Sequence, residues 1–179
     1  LEEKTIGGVS LRVYKNAPPT LRHVVLNSVN WDQREFLVYL DERVTFAAHY
    51  KAVAHFAKAL SETYGVKKGD RVAVIMRNYP QWSVAFWGAL VIGAIATPLN
   101  SWWTGEELEY GLSDSGAKVA VVDPEKMERI REHMPKLAQL KHVIVARGME
   151  EEADPRISSM EKLIGPANKW AKLPDIPMP

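Results

Sequence analysis

The chain has 179 residues, with 23 lysines and arginines against 22 aspartates and glutamates and no cysteine. The net charge of +1 provides no field for gathering nucleic acid or an acidic membrane, and the lack of thiols excludes disulfides and thiolate metal centres. The length suits one domain of roughly 100–200 residues or a piece of a larger one, and such a chain buries about 70% of its unfolded surface, enough for a real core.

The amino end, LEEKTIGGVSLRV, lacks the apolar stretch of a secretory signal, and the first forty residues read as largely irregular. Within them Pro18, Pro19 and Thr20 start a short helix with Leu21, Val24, Val25 and Val29 along one face. FLVYLDERVTF predicts a hairpin that turns at Asp41–Glu42. Thr45 then caps a long helix, whose apolar stripe is Phe46, Tyr50, Val53, Ala57, Leu60 and Tyr64 and whose stop is Gly65.

From Asp70 the chain alternates. Asp70–Met76, Ala94–Asn100, Lys118–Asp123 and Lys141–Ala146 are predicted strands. A helix opened at Asn78–Tyr79–Pro80 runs through Trp82, Ala85, Phe86, Ala89 and Leu90 to Gly93. Thr104 and Glu107 form a capping box for a second helix, which stops at Ser115–Gly116. Asp123 caps a third, with Pro124 in its first turn and Met127, Ile130, Arg131 and Met134 along it. Strands that are apolar throughout require helices on both faces, and short links between strand and helix imply parallel pairing. The predicted fold class is therefore α/β: a doubly wound, mostly parallel sheet flanked by helices, with a small amino-terminal hairpin and helix.

Three segments follow: a lead-in over 1–44, the sheet unit over 45–146, and a tail over 147–179. The tail holds an acidic loop around Glu150–Glu152, a short helix capped by Ser158 and Glu161, and the extended, proline-rich WAKLPDIPMP. The apolar run Trp82–Leu99 is broken by Ser83, Gly88, Gly93, Thr97 and Pro98, so it is too short for a span of ~20 apolar residues. A soluble, cytoplasmic protein is expected.

The turns after the strands, where such sheets take ligands, read RNYP, NSWWTGE, DPEK and ARGM. None holds a glycine loop able to bring backbone amides against a phosphate. His23, His49, His55, His133 and His142 show no H-x-x-x-H spacing, and no G-x-S-x-G elbow is present. Catalytic and metal-ligating residues are therefore expected to be absent. Glu106–Glu107 begin a helix, where the dipole favours negative charge whatever the function. Trp82 and Trp87 read as core. Trp102 and Trp103, adjacent in a loop, cannot both point into one core. Either one plugs the top of the sheet while the other packs on the next helix, or one indole covers a ligand or a partner surface.

The ordered series RVTFAAHYKAVAHFAKAL, KGDRVAV, NYPQW, GALVIGAIATPLN, the EEL helix and SGAKVAVVD resembles the opening of adenylate-forming acyl-CoA synthetases. These belong to the AMP-binding superfamily that includes luciferases and the adenylation domains of peptide synthetases. The likeness covers most of Lys15–Val145, and VYKNAPPTLR resembles the lead-in of fatty-acid-type members. Such enzymes join a carboxylic acid to ATP, releasing pyrophosphate, and pass the acyl group from AMP to the thiol of CoA.

The resemblance implies ATP, Mg and CoA for the full-length enzyme. The family's Ser/Thr/Gly-rich phosphate loop, its adenine and ribose motifs and its lid lysine are not in this sequence. The chain is accordingly expected to be an amino-terminal segment, an incomplete part of a larger domain, inactive alone and binding no cofactor. Its partners would be the remainder of its own enzyme and, there, an acid and CoA, with self-association through an exposed apolar face. By position, Trp102, Trp103 and Thr104 are the implied CoA-side contacts, by stacking on adenine or pantetheine. The competing reading is a free-standing α/β interaction domain whose Trp-rich loop docks a protein.

Overall fold

The computed structural model describes residues 1–148 and 152–179, so positions 150 and 151 of the predicted acidic loop lie outside it. The stretch expected to be irregular begins with a hairpin. Gly7 and Gly8, at φ +58° and +83°, turn β1 (Glu2–Ile6) back onto β2 (Val9–Val13), a conformation that glycine adopts without steric cost. Both strands are mostly exposed, so no buried face marked them in the sequence.

Thr20 precedes α1 (Leu21–Asn27), and Val29 falls in a following 3-10 turn, Ser28–Trp31. Of the expected apolar face only Val25 is buried, while Leu21, Val24 and Val29 stay exposed. Thr20 does not cap the helix backbone, because its hydroxyl meets His23 Nδ1 at 2.8 Å. The predicted hairpin forms as β3 (Glu35–Tyr39) and β4 (Glu42–Thr45), but its turn is Leu40–Asp41, one residue earlier than expected. Glu42 pairs with Tyr39 in the ladder and its carboxylate takes a tertiary partner, Arg147, which favours keeping it in the strand.

In α2 (Phe46–Glu62) the Thr45 hydroxyl accepts from the Ala48 amide at 3.2 Å, and Gly65 follows at φ +61°. Its buried surface is wider than the predicted stripe and includes His49, Ala52, Ala54 and Phe56. The chain then alternates through β5 (Arg71–Ile75), α3 (Pro80–Val91), β6 (Ile95–Pro98), α4 (Gly105–Ser115), β7 (Val119–Val122), α5 (Pro124–Arg131) and β8 (His142–Val145). The capping box is complete: Thr104 N–H donates to Glu107 Oε2 at 2.8 Å, and Glu107 N–H to the Thr104 hydroxyl at 3.3 Å. Met134, expected in the third helix, lies in a separate 3-10 turn, Met134–Lys136.

A strand absent from the sequence reading, β9 (Ile157–Ser159), completes a five-stranded, wholly parallel sheet in the order β6-β5-β7-β8-β9. Successive strand residues point to opposite faces. Val72, Val74, Val119, Val121 and Ile144 pack under α2 and α3. Ala73, Ile75, Ala120, Val122, Val143 and Val145 meet Leu108 and Leu112 of α4 and Met127 and Ile130 of α5. Two cores on opposite faces are the doubly wound arrangement.

The short helix α6 (Met160–Ile164) starts after Ser159, not Ser158. The Ser158 hydroxyl bonds Tyr64 Oη at 2.7 Å, and Glu161 turns its carboxylate to Arg147 and Gln81 instead of a cap. The tail is extended only from Leu173. Before it, a 3-10 helix, Ala167–Lys172, inserts Trp170 wholly into the core. Lys51 and His55 then hold the carbonyls of Leu173 and Pro174, and Arg22 holds those of Met178 and Pro179. Among the described residues no helix is long and apolar enough to cross a membrane.

Candidate functional site

The carboxyl ends of the parallel strands gather two charged clusters. The first surrounds the tryptophan loop. Asn100 shapes that loop, its side-chain oxygen accepting from Trp102 N–H at 3.0 Å and its carbonyl from Trp103 N–H at 3.2 Å. The two indoles part company. Trp103 is half-buried against Leu99 and Gly111, where a Cβ on Gly111 would come within 2.9 Å of the ring. Trp102 stays 79% exposed. Its ring lies 5.9 Å from the guanidinium carbon of Arg77, at the end of β5. Thr104 commits its hydroxyl to the α4 cap.

Beneath the loop, three cations meet two carboxylates. Buried Asp123 accepts from the backbone N–H groups of Lys126 at 3.0 Å and Arg77 at 3.1 Å. Lys126, also buried, places Nζ 3.7 Å from Asp123 and 3.0 Å from Glu125. Glu125 further accepts from Arg77 at 3.0 Å and from Arg129 at 2.6 Å. The hydrogen bond from Lys126, reinforced by the two guanidiniums, holds the Glu125 carboxyl below its ordinary value. Arg129 also donates to the Trp103 carbonyl at 2.7 Å and so ties α5 to the loop. With one positive charge in excess beside an exposed aromatic face, the edge suits a ligand that combines a planar ring with a negative group.

The second cluster closes the neighbouring strand end. Arg147, at φ +62° after β8, donates to both Glu42 oxygens, at 2.6 and 3.2 Å. Its guanidinium sits 5.2 Å from the ring of Tyr39 and 4.9 Å from that of Tyr79, which themselves meet edge to face. The Glu42 contact raises the Arg147 pKa further. This cluster is internally paired and clamps the β3–β4 hairpin to the sheet.

The histidines disperse. His49 is buried against Ser83, with Nε2 2.9 Å from the hydroxyl, and His55 reaches the tail. His133 bonds Glu109 at 2.6 Å, and the His142 ring meets that of Tyr64. Among the described residues no three His, Asp or Glu side chains gather as a metal cage. Trp82 and Trp87 are half-buried against the α2–α3 core. Of the acidic loop, Glu152 is not simply solvated but pairs with Arg131 at 2.9 Å.

Sequence reasoning singled out the Trp102–Thr104 loop and passed over Arg77, Lys126 and Arg129. One signal was present: Glu125 and Arg129 stand at i and i+4, a spacing that joins them on one helix face. The approach of Arg77 to Trp102 is tertiary and left no trace in spacing.

A family model described as "AMP-binding enzyme" matches residues 27–175. The long-chain-fatty-acid–CoA ligase of Yersinia pestis is 38% identical over 116 residues, which is 65% of this chain and 20% of that one. Long-chain-fatty-acid–CoA ligase FadD13 of Mycobacterium tuberculosis is 38% identical over 81 residues, 45% of this chain and 16% of that one. Among solved structures, the anthranilate CoA ligase AuaEII in complex with anthranoyl-AMP superposes with a TM-score of 0.74 and 23% identity. That match covers 86% of this chain and 28% of the other. Coronafacic acid ligase from Pectobacterium brasiliense gives a TM-score of 0.75 at 16% identity, over 82% and 29% of the two chains. These structural likenesses speak to the fold. The chain spans about a fifth of the curated relatives it matches over the longest stretch.

Proposed function

The chain belongs to the AMP-binding enzyme family, and on that premise we propose that it forms the amino-terminal scaffold of an ATP-dependent acyl-CoA ligase. The reaction is the joining of a fatty or related carboxylic acid to AMP, with release of pyrophosphate, and transfer of the acyl group to CoA. The observation that carries this reading is the 38% identity to a long-chain-fatty-acid–CoA ligase over 116 residues. The doubly wound sheet agrees with it.

The scaffold alone is inert in this reading. Its 179 residues hold no glycine-rich loop, so no set of backbone amides grips a triphosphate and offsets charge as the carboxylate attacks. Pyrophosphate release and thioester formation, assayed with a fatty acid on this chain and on the full reading frame containing it, test both parts. Activity of the longer protein and silence of the shorter one are expected. Turnover by the 179 residues, or saturable ATP binding to them at micromolar concentration, contradicts the inertness. A full-length protein without ligase activity contradicts the function.

Within that enzyme, Trp102 is the CoA-side contact. An exposed indole beside a guanidinium fits an adenine ring and its phosphates, with Arg77 supplying charge and Arg129 fixing the loop. Trp103 and Thr104 act there by positioning, one packed on α4 and one capping it. Trp102→Ala in the full enzyme should raise the KM for CoA several-fold and leave the adenylation half-reaction intact. An unchanged KM removes the assignment. The isolated chain should also self-associate through exposed apolar groups such as Val38, Leu40 and Ile95, visible as a concentration-dependent sedimentation coefficient.

A further inference from the structure

A half-open cavity of about 120 Å³ lies on the α2–α3 side of the sheet, bounded by α1, the Ser28–Trp31 turn, β3, α2 and α3. Four aromatic side chains wall it: Trp31, Phe36, Phe46 and Trp87. Phe46 stacks obliquely on both Trp31 and Phe36, at 5.3 and 4.5 Å between ring centres, so those three walls brace one another. Val24 and Trp31 are the exposed members of the lining.

Besides the indole N–H groups of Trp31 and Trp87, the polar side chains of the wall are Ser28 and His49. Ser28 donates its hydroxyl to the Val25 carbonyl at 2.6 Å. His49 is 3% exposed, and its Nε2 meets Ser83 at 2.9 Å. Its Nδ1 makes no hydrogen bond among the described residues, and since no fully buried side-chain nitrogen there lacks a partner, this atom is not fully enclosed. Burial pushes the imidazole down to about 3, so the ring in the wall is neutral at pH 7. An ionic ligand would meet no counter-charge in this wall and would lose its hydration, a prohibitive exchange.

The cavity is somewhat smaller than the ~150 Å³ closed apolar hole that holds benzene, but its open side lets one ring seat with an edge outward, and the aromatic walls favour edge-to-face and offset contacts with that ring. We propose that this cavity binds a small uncharged aromatic ring bearing one hydroxyl, a phenol-type ligand, with the ring between the aromatic walls and the hydroxyl on His49 Nδ1. The hydroxyl serves either imidazole tautomer, since it both donates and accepts. The site is independent of the Trp102 loop and of the ligase reading.

The test titrates phenol, benzene and benzoate into the 179-residue chain and follows the indole N–H resonances of Trp31 and Trp87. Phenol should shift both saturably, with a Kd on the order of 1 mM as expected for seven heavy atoms. Benzene should bind about tenfold more weakly, the worth of one hydrogen bond, and benzoate should not compete. Val24→Trp, which enlarges an exposed member of the lining, should abolish the shift at Trp87 while the rest of the spectrum stays dispersed. His49→Phe should make phenol and benzene equal. A linear, unsaturable response to phenol, persistence of the shift in Val24→Trp, or equal binding of benzene and phenol to the unmodified chain would overturn the proposal.

Discussion

Arg77 and Trp102 leave different strands, yet the guanidinium carbon lies 5.9 Å from the centre of the indole. At an exposed site such a contact contributes about 0.5–1 kcal/mol. Trp102→Ala should therefore lower stability by less than about 1 kcal/mol. Trp103→Ala, which empties the space over Gly111 and Leu99, should cost roughly 2 kcal/mol or more. Urea unfolding of the two variants separates the exposed indole from the packed one, and equal losses would show that the loop is a single packed unit.

Asp123 caps α5, accepts from Arg77 and balances buried Lys126. Removing it leaves an ammonium group with 2% of its side chain exposed and one fewer carboxylate. Such a loss costs about 3–5 kcal/mol. Asp123→Ala should fall in that range, and Asp123→Ala/Lys126→Met should recover a substantial part of it. A double variant no more stable than the single one would mean that the cap, not the charge, carries the cost.

His49 gives stability a defined dependence on pH. Its folded pKa of about 3 lies below the ordinary 6.5, so between these values the unfolded chain binds a proton that the folded chain refuses. Stability from this residue is complete above pH 6.5 and declines as pH falls towards 3, by at most about 1.4 kcal/mol per pH unit. His142, lowered by burial and by Lys118, adds in the same direction. Asp70 and Asp154, held low by hydrogen bonds, add their loss only as pH drops through the carboxylate range. His49→Gln should flatten the slope of unfolding free energy between pH 6.5 and 4.5, measured by urea titration at each pH. An unaltered slope would assign that window to other groups.

Gly105 occupies the first position of α4 with no room for a side chain. A Cβ there would collide with the Arg129 carbonyl oxygen, a backbone atom, and with His133 Nε2. Gly105→Ala should cost about 1–3 kcal/mol by overpacking and lower Tm by about 2–4 °C for each kcal/mol. A calorimetric scan without such a drop would mean that α4 and α5 slide apart freely.

Much of this architecture was legible because local chemistry and the global fold agree. Thr104 with Glu107, Asp123 with Pro124, and Thr45 each announce a helix start that the structure keeps. The apolar runs Arg71–Ile75 and Val119–Val122 could only be strands covered on both sides. The misses have physical reasons too. The exposed β1–β2 pair has no buried side to impose alternation, and β9 is only three residues long. Trp170 looked like part of a strap because prolines follow it, although its indole is wholly enclosed and its Nε1 donates to the Gly165 carbonyl at 3.0 Å. At the candidate site the tryptophans were visible, but the charges around Trp102 come from two other strand ends and meet only after folding.

The clamp between Glu42 and Arg147 joins residues 105 positions apart. A contact of that span closes a long loop, so it gains little until the intervening sheet exists. The order of assembly then runs from the inner strands outwards, with the β3–β4 hairpin seated late. In native-state hydrogen exchange the amides of that hairpin should open before those of β5 and β7, marking this flap as a loosely coupled edge of the sheet.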